Sequence, residues 1–295
     1  MVRALGFSHV FEVGFGADLV ANAYKKLLND KDGKGYISSD CPAIVSYIRY
    51  YHPDLVKHLA PLVSPMVAML RVVKQMLGND VKVVFIGPCI AKKAESAEVD
   101  EVLTFRELRG MLDHAGIDFQ TVTPSNFDPP RAGRGAIFPV SRGLIQTVNI
   151  LDDIVEGNVL VAEGRIGFQE AIKEFESGNL QNQNLELLCC EGCIMGPGMT
   201  AGGKRFERRT YVSSYVQHKL QPEQKKEWET HFNEFANIDL TQSFSSNDRR
   251  MPLPSEEQVN KVLASMGKFS PRDHLNCGAC GYDTCLEHAI AIVEG

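Results

Sequence analysis

The chain has 295 residues, 44% hydrophobic and 23% charged, with a formal net charge of −6. That length suits one large or two modest domains with a real core, and an acidic balance without a basic block argues against nucleic acid as the main partner. No apolar run approaches the roughly 18 residues of a membrane span, and the opening MVRALGFSHVFEVGFG lacks a signal peptide's apolar core, so a soluble, cytoplasmic protein with no membrane partner is expected.

Pro42, directly after Cys41, is well placed as the first residue of a helix with Ile44 and Ile48 on its inner face. VKVVFIG (81–87) is a near-continuous apolar run ending in Gly-Pro and reads as a buried parallel strand. TFRELRGMLDHAG opens on a capping box, Thr104 to Glu107, and ends at Gly116. AIFPV (136–140), NVLVAEG (158–164) and LELL (185–188) read as further short strands. FQEAIKEFESG (168–178) is a helix with Phe168, Ala171, Ile172 and Phe175 on one face, stopping at Gly178. Strands alternating with such helices predict an α/β fold with a mainly parallel sheet. Ligands of these sheets bind beyond the carboxyl ends of strands, where Cys89 and Cys189 both fall. From about 242 the polar, proline-containing QSFSSNDRRMPLPSEE reads as a linker. Ser255 then opens a short helix with Gln258 at its third position and Val259, Val262, Leu263 and Met266 on one face. NCGACGYDTCLEHAIAIVEG closes the chain as a small separate module, giving domains over 1–241 and 250–295.

The eight cysteines are Cys41, Cys89, Cys189, Cys190, Cys193, Cys277, Cys280 and Cys285. In a reducing cytoplasm such clusters point to metal ligands before disulfides. Cys189 and Cys193, with Gly192, Gly196, Pro197 and Gly198, let the backbone bend closely around an inorganic cluster, and Cys190 reads as a passenger. Cys41 lies at a helix N-terminus, where the dipole favours the thiolate that metals require. Cys89 carries Lys92 three residues on and Glu95 six residues on; Lys92 can donate to an anionic ligand, whereas Lys93 suits a solvated face. The plain alternative is a buried structural thiol or a helix cap, and it suffices for any one of these cysteines alone. It explains three cysteines within five residues of a glycine-rich turn poorly. Four thiolates from Cys41, Cys89, Cys189 and Cys193 suit a [4Fe–4S] cluster, with tetrahedral zinc as the rival. Ligands drawn from three distant loops favour the cluster over zinc's usual paired spacing.

These residues resemble the catalytic H-cluster domain of [FeFe]-hydrogenases. SSDCPAI is similar to that family's Cys-Cys-Pro stretch. PCIAKKAE matches its Pro-Cys-x-x-Lys-x-x-Glu at Pro88, Cys89, Lys92 and Glu95, and CCEGCIMGPG matches its Cys-x-x-x-Cys followed by glycines. The resemblance implies a two-lobed domain with a [4Fe–4S] cubane held by Cys41, Cys89, Cys189 and Cys193. Cys193 would bridge to a two-iron subcluster carrying CO, cyanide and a dithiolate, with Lys92 hydrogen-bonding a cyanide. The implied chemistry is reversible heterolysis of H2 into protons and electrons. LNCGACGYDTC is similar to a small [4Fe–4S] module of some members, so Cys277, Cys280 and Cys285 would ligate a second cluster. Against the family pattern the chain starts after the first strand, and the fourth C-terminal ligand falls beyond residue 295, with His288 as the alternative.

The departures shape the functional expectation. Asp40 stands where active members carry a proton-shuttling cysteine, and a buried carboxylate can relay protons in its place. Gly87 and Leu187 stand for methionines, Met66 for a glutamine, and Tyr24 and Leu27 near two relay glutamates. That pattern resembles the sensory branch, which binds or slowly turns over H2 and signals to a redox partner or an appended domain. The rivals are a hydrogenase-like electron carrier or assembly protein without the two-iron subsite, and a zinc-stabilised binding module.

Overall fold

Two short parallel sheets, each leading at its carboxyl end into a cysteine loop, organise the first part of the chain. The computed structural model describes residues 1–29, 34–148, 158–180 and 183–295, in two units, Met1–Asp248 and Arg249–Gly295. In the first unit α1 (Gly14–Asn29), α2 (Pro42–Tyr51) and α3 (Pro65–Leu77) precede β1 (Val84–Gly87), β2 (Glu101–Thr104) and α4 (Phe105–His114). Then come α5 (Gly143–Thr147), β3 (Val159–Glu163), α6 (Gly164–Glu176), β4 (Asn184–Leu188), α7 (Arg205–Lys219) and α8 (Pro222–Glu234).

β1 pairs with β2 in register from Val84↔Glu101 to Gly87↔Thr104, and β3 with β4 from Val159↔Asn184 to Glu163↔Leu188. Every residue of β4 is buried. Its outer edge is taken by the segment before α2, where Ser38 N–H donates to Leu185 O at 2.8 Å and Leu187 N–H to Ser38 Oγ at 3.1 Å. One core gathers Val20, Tyr24, Ala68, Leu70 and Val102; a second gathers Ile37, Ile44, Ile48, Ile172, Leu185 and Leu187. The first core needs α1 and α3 in close approach, because a Cβ at Gly16 would overlap the Pro65 carbonyl.

The local devices read from sequence are present at α2 and α4. Pro42 is the first residue of α2, and Thr104 and Glu107 close the capping box of α4. The AIFPV segment is not a strand. Residues 134–137 form a 3-10 turn, and Gly133 and Gly135 donate their N–H groups to the buried carboxylate of Asp18 rather than to a strand neighbour. α6 starts four residues before Phe168, because Gly164, at φ +76°, turns the chain directly out of β3.

In the second unit α9 (Glu256–Ser265) opens on a Ser255–Gln258 capping box. It packs on α10 (Cys285–Glu294) through Val259, Leu263, Cys285 and Ala289. Among the described residues, no helix is long and apolar enough to cross a membrane.

Candidate metal centre

Three separate loops carry thiols to one place. Cys41 is the extended residue before α2, and the backbone N–H groups of Cys189 and Ile44 near its sulfur partly offset the effect of its burial. Cys89 leaves β1 through Pro88 and starts the 3-10 turn Ile90–Ala94. Cys189 directly follows β4, and Cys193 follows Gly192, whose φ of +79° is open to glycine.

The ionisation of these groups shows their proximity. Cys193 responds to Cys41, Cys89, Asp40 and Lys92, and Cys189 and Cys190 both respond to Cys89. Burial pushes the Cys41 thiol up to about 12 and raises Cys193 further. Burial also raises Cys189 and Cys190. Such thiols stay protonated alone and become thiolates when a soft metal supplies positive charge.

Lys92 forms an ion pair with Glu95 at 2.5 Å, the two side chains 11% and 14% exposed. Burial works against its charge, but Glu95 and the sulfurs of Cys89 and Cys193 outweigh it, so its pKa is raised. Its Nζ also lies 3.4 Å from Asp40 O. Asp40 is buried, bonds to Ser38, and keeps Oδ1 without a partner. Burial raises its pKa, with Lys92 and Glu95 acting in opposite senses.

The glycine-rich turn is pinned from three sides. Gly198 N–H donates to Pro88 O at 2.9 Å, and Arg106 N–H donates to Gly198 O at 3.1 Å. A Cβ on Gly198 would lie 2.7 Å from Thr104 Cγ2 and 2.8 Å from Pro88 O. Arg208 donates to Ile194 O at 2.7 Å, to Thr200 O at 3.0 Å and to Gly202 O. Arg205 pairs with Glu163 and Glu191. Sequence reasoning missed Arg205 and Arg208; the run GPGMTAGG signalled close packing but not which side chains provide it.

Of the four cysteines named from sequence for one cluster, Cys193 thus lies within electrostatic reach of Cys41 and Cys89, and Cys189 within reach of Cys89, with Asp40 and Lys92 near Cys193. Among the described residues, no three or more His, Cys, Asp or Glu are gathered tightly enough to hold a single metal ion. One zinc would draw its sulfurs to about 2.3 Å from one centre. A larger group with one thiolate per corner fits this donor set, with the orphaned Asp40 Oδ1 at its edge.

In the second unit Cys277 and Cys280 are exposed, while Cys285 is buried at the start of α10. Asn276, Gly278 and Gly281 all have positive φ, coiling the loop tightly, and Asn276 Oδ1 accepts Cys285 N–H at 2.9 Å. The loop thus presents two open thiols and one that is packed against the helix pair.

Thiol-bearing loops at the carboxyl ends of two parallel sheets are compatible with an iron–sulfur protein of hydrogenase type. Residues 1–197 match the family described as iron only hydrogenase large subunit, C-terminal domain, and the chain belongs to that family. Residues 273–295 match a second family, described as "Putative Fe-S cluster". Iron hydrogenase 1 of Clostridium pasteurianum is 26% identical over 252 residues, covering 67% of this chain and 44% of that protein. The cytosolic Fe-S cluster assembly factor narfl of Xenopus tropicalis is 25% identical over 154 residues, covering 43% of this chain and 32% of that protein. The chain thus spans less than half the length of these two relatives. A solved variant of [FeFe]-hydrogenase HydA1 from Chlamydomonas reinhardtii shares the fold, with a TM-score of 0.67, 17% identity, and 83% and 86% of the two chains covered.

Proposed function

We propose that this chain is the core of a sensory [FeFe]-hydrogenase, working in the cytoplasm, where its thiols stay reduced. Cys41, Cys89, Cys189 and Cys193 would hold a [4Fe–4S] cluster, and Cys193 would also hold a two-iron subcluster with CO, cyanide and dithiolate ligands. Cys277, Cys280 and Cys285 hold a second [4Fe–4S] cluster that passes electrons or a redox signal to a partner or appended domain. The observation that supports this best is the meeting of four thiols from distant loops around a buried lysine already neutralised by Glu95.

When bound, the two-iron group supplies reversible heterolysis of H2. The chain holds, orients and shields it. Lys92 offers N–H donors to an anionic ligand, and Glu95 fixes its direction. Asp40 holds or releases a proton at Oδ1. Leu187 and Ile44 keep water off the sulfur side. Low turnover fits the loss of carboxylates at Tyr24 and Leu27.

Infrared spectroscopy of the matured protein tests this reading. CO and cyanide bands are expected from the parent chain and none from Cys193→Ala; bands that persist in Cys193→Ala would refute the assignment. A second reading is favoured by the likeness to a cytosolic Fe-S cluster assembly factor. An assembly or electron-carrier protein would be brown, from iron–sulfur absorbance, and would show no CO or cyanide bands after maturation.

A further inference from the structure

A polar cavity of about 280 Å³ enters the first unit beside α2 and the start of α3, bordered by residues 242–245. Its wall carries the hydroxyls of Ser39, Ser46, Ser64 and Ser96. At the inner end stands Glu95, the partner of Lys92. At the outer end Arg49 donates to Ser245 O at 2.7 Å, and Ser245 is exposed.

Ser64 is the telling residue. It occupies the N-cap position of α3, where a serine hydroxyl ordinarily accepts an N–H from the first turn. Here it makes no such bond. The residue is 2% exposed, and its Oγ has no protein partner. A buried hydroxyl left unpaired costs about 1–3 kcal/mol, and native proteins meet such groups with ordered water. The cavity is polar and roomy enough for several waters.

We infer that this cavity holds a chain of ordered waters that carries solvent protons from the Arg49–Ser245 rim past Ser64 to the Lys92–Glu95 pair. For the protons' destination the inference rests on the hydrogenase reading above; for the waters it does not. The hydroxyls of Ser46 and Ser64 can both donate and accept, so each can bond a water on either side, whereas Ser39 Oγ is already taken, donating to Leu62 O at 2.8 Å beside the Tyr24 hydroxyl. A proton entering at the rim is passed by exchange of O–H bonds: each water gives up one proton as it takes one, and nothing in the cavity is oxidised or reduced. On the far side of Ser39, Tyr24 is buried with its hydroxyl committed to Ser39, so the serine-lined side provides the open polar approach.

High-resolution diffraction from the full chain, without any maturation, decides on the waters. Ordered waters bonded to Ser64 Oγ and Glu95 are expected, with the first lost in Ser64→Ala and the whole chain displaced in Ser46→Phe. A dry cavity would overturn the inference. In the matured protein, Ser46→Phe is expected to keep the infrared bands of the parent while H2 evolution falls at least about tenfold, a barrier increase of about 1.4 kcal/mol. Ser64→Ala, which removes one anchor and no volume, is expected to show a smaller loss. Parent-like turnover in a plugged variant would overturn the proton route. Absence of infrared bands from the parent would instead refute the hydrogenase reading, leaving the diffraction result to stand on its own.

Discussion

The Tyr24 hydroxyl accepts the backbone N–H of Ser39 at 2.7 Å and lies 2.9 Å from Ser39 Oγ, tying α1 to the residue two before the first cluster cysteine. Tyr24→Phe leaves that buried N–H without a partner, at about 1–3 kcal/mol. We expect thermal unfolding to fall by about 2–4 °C for each kcal/mol lost in a unit of this size. An unchanged melting temperature would show that water replaces the hydroxyl.

Gly198 and Gly167 give opposite expectations. A Cβ at Gly198 meets Thr104 and the Pro88 carbonyl, so Gly198→Ala shifts Cys89 and costs about 1–3 kcal/mol by overpacking. Bound iron is expected to drop with it. Gly167 lies within α6 with open space around it, and Gly167→Ala is expected to stabilise by about 0.5–1 kcal/mol. Urea denaturation and iron assay of the two variants check both signs.

Asp18 gives a pH dependence. Burial raises its pKa to about 7, although its carboxylate accepts N–H bonds from Gly133, Gly135 and Trp228. The folded state therefore binds a proton that the unfolded state has released between about pH 4 and 7. The associated stability is fully present below the unfolded pKa and is lost as pH rises through the folded one, at up to about 1.4 kcal/mol per pH unit. Asp18→Asn should flatten the decline between about pH 4 and 7. A slope identical to the parent's would show that Asp18 does not bind that proton.

The cysteines divide by expected iron content. Cys190→Ser should leave the iron count of the reconstituted protein unchanged. Cys280→Ser should remove about four irons, one cubane. Equal iron in the two variants would dissolve the distinction between passenger and ligand.

Asp40→Ala should keep the infrared bands while H2 turnover falls roughly a hundredfold, within the range of a lost general acid–base group. Unchanged turnover would reduce Asp40 to a structural residue.

Much of this was legible in the sequence because the signals were local. Pro42 marked the start of α2, the Thr104–Glu107 pair marked that of α4, and the spacing of Cys89, Lys92 and Glu95 named a thiol with its charged companions. Non-local bonds were not legible. AIFPV has a strand's composition, yet the two glycines just before it, Gly133 and Gly135, are captured by Asp18 from more than 100 residues away, and no window of sequence carries that information. β2 is four residues long, too short for a period to declare itself. Nothing in the sequence marks Ser64, and its idle hydroxyl is visible only in three dimensions.

Arg208 has a consequence for biosynthesis. The turn after Cys193 takes its shape from a guanidinium on α7, which ends at Lys219. Until that helix has left the ribosome and docked, the last thiol has no fixed address. Iron delivered earlier would meet an unfinished socket, so insertion of the metal belongs after α7 has emerged and docked.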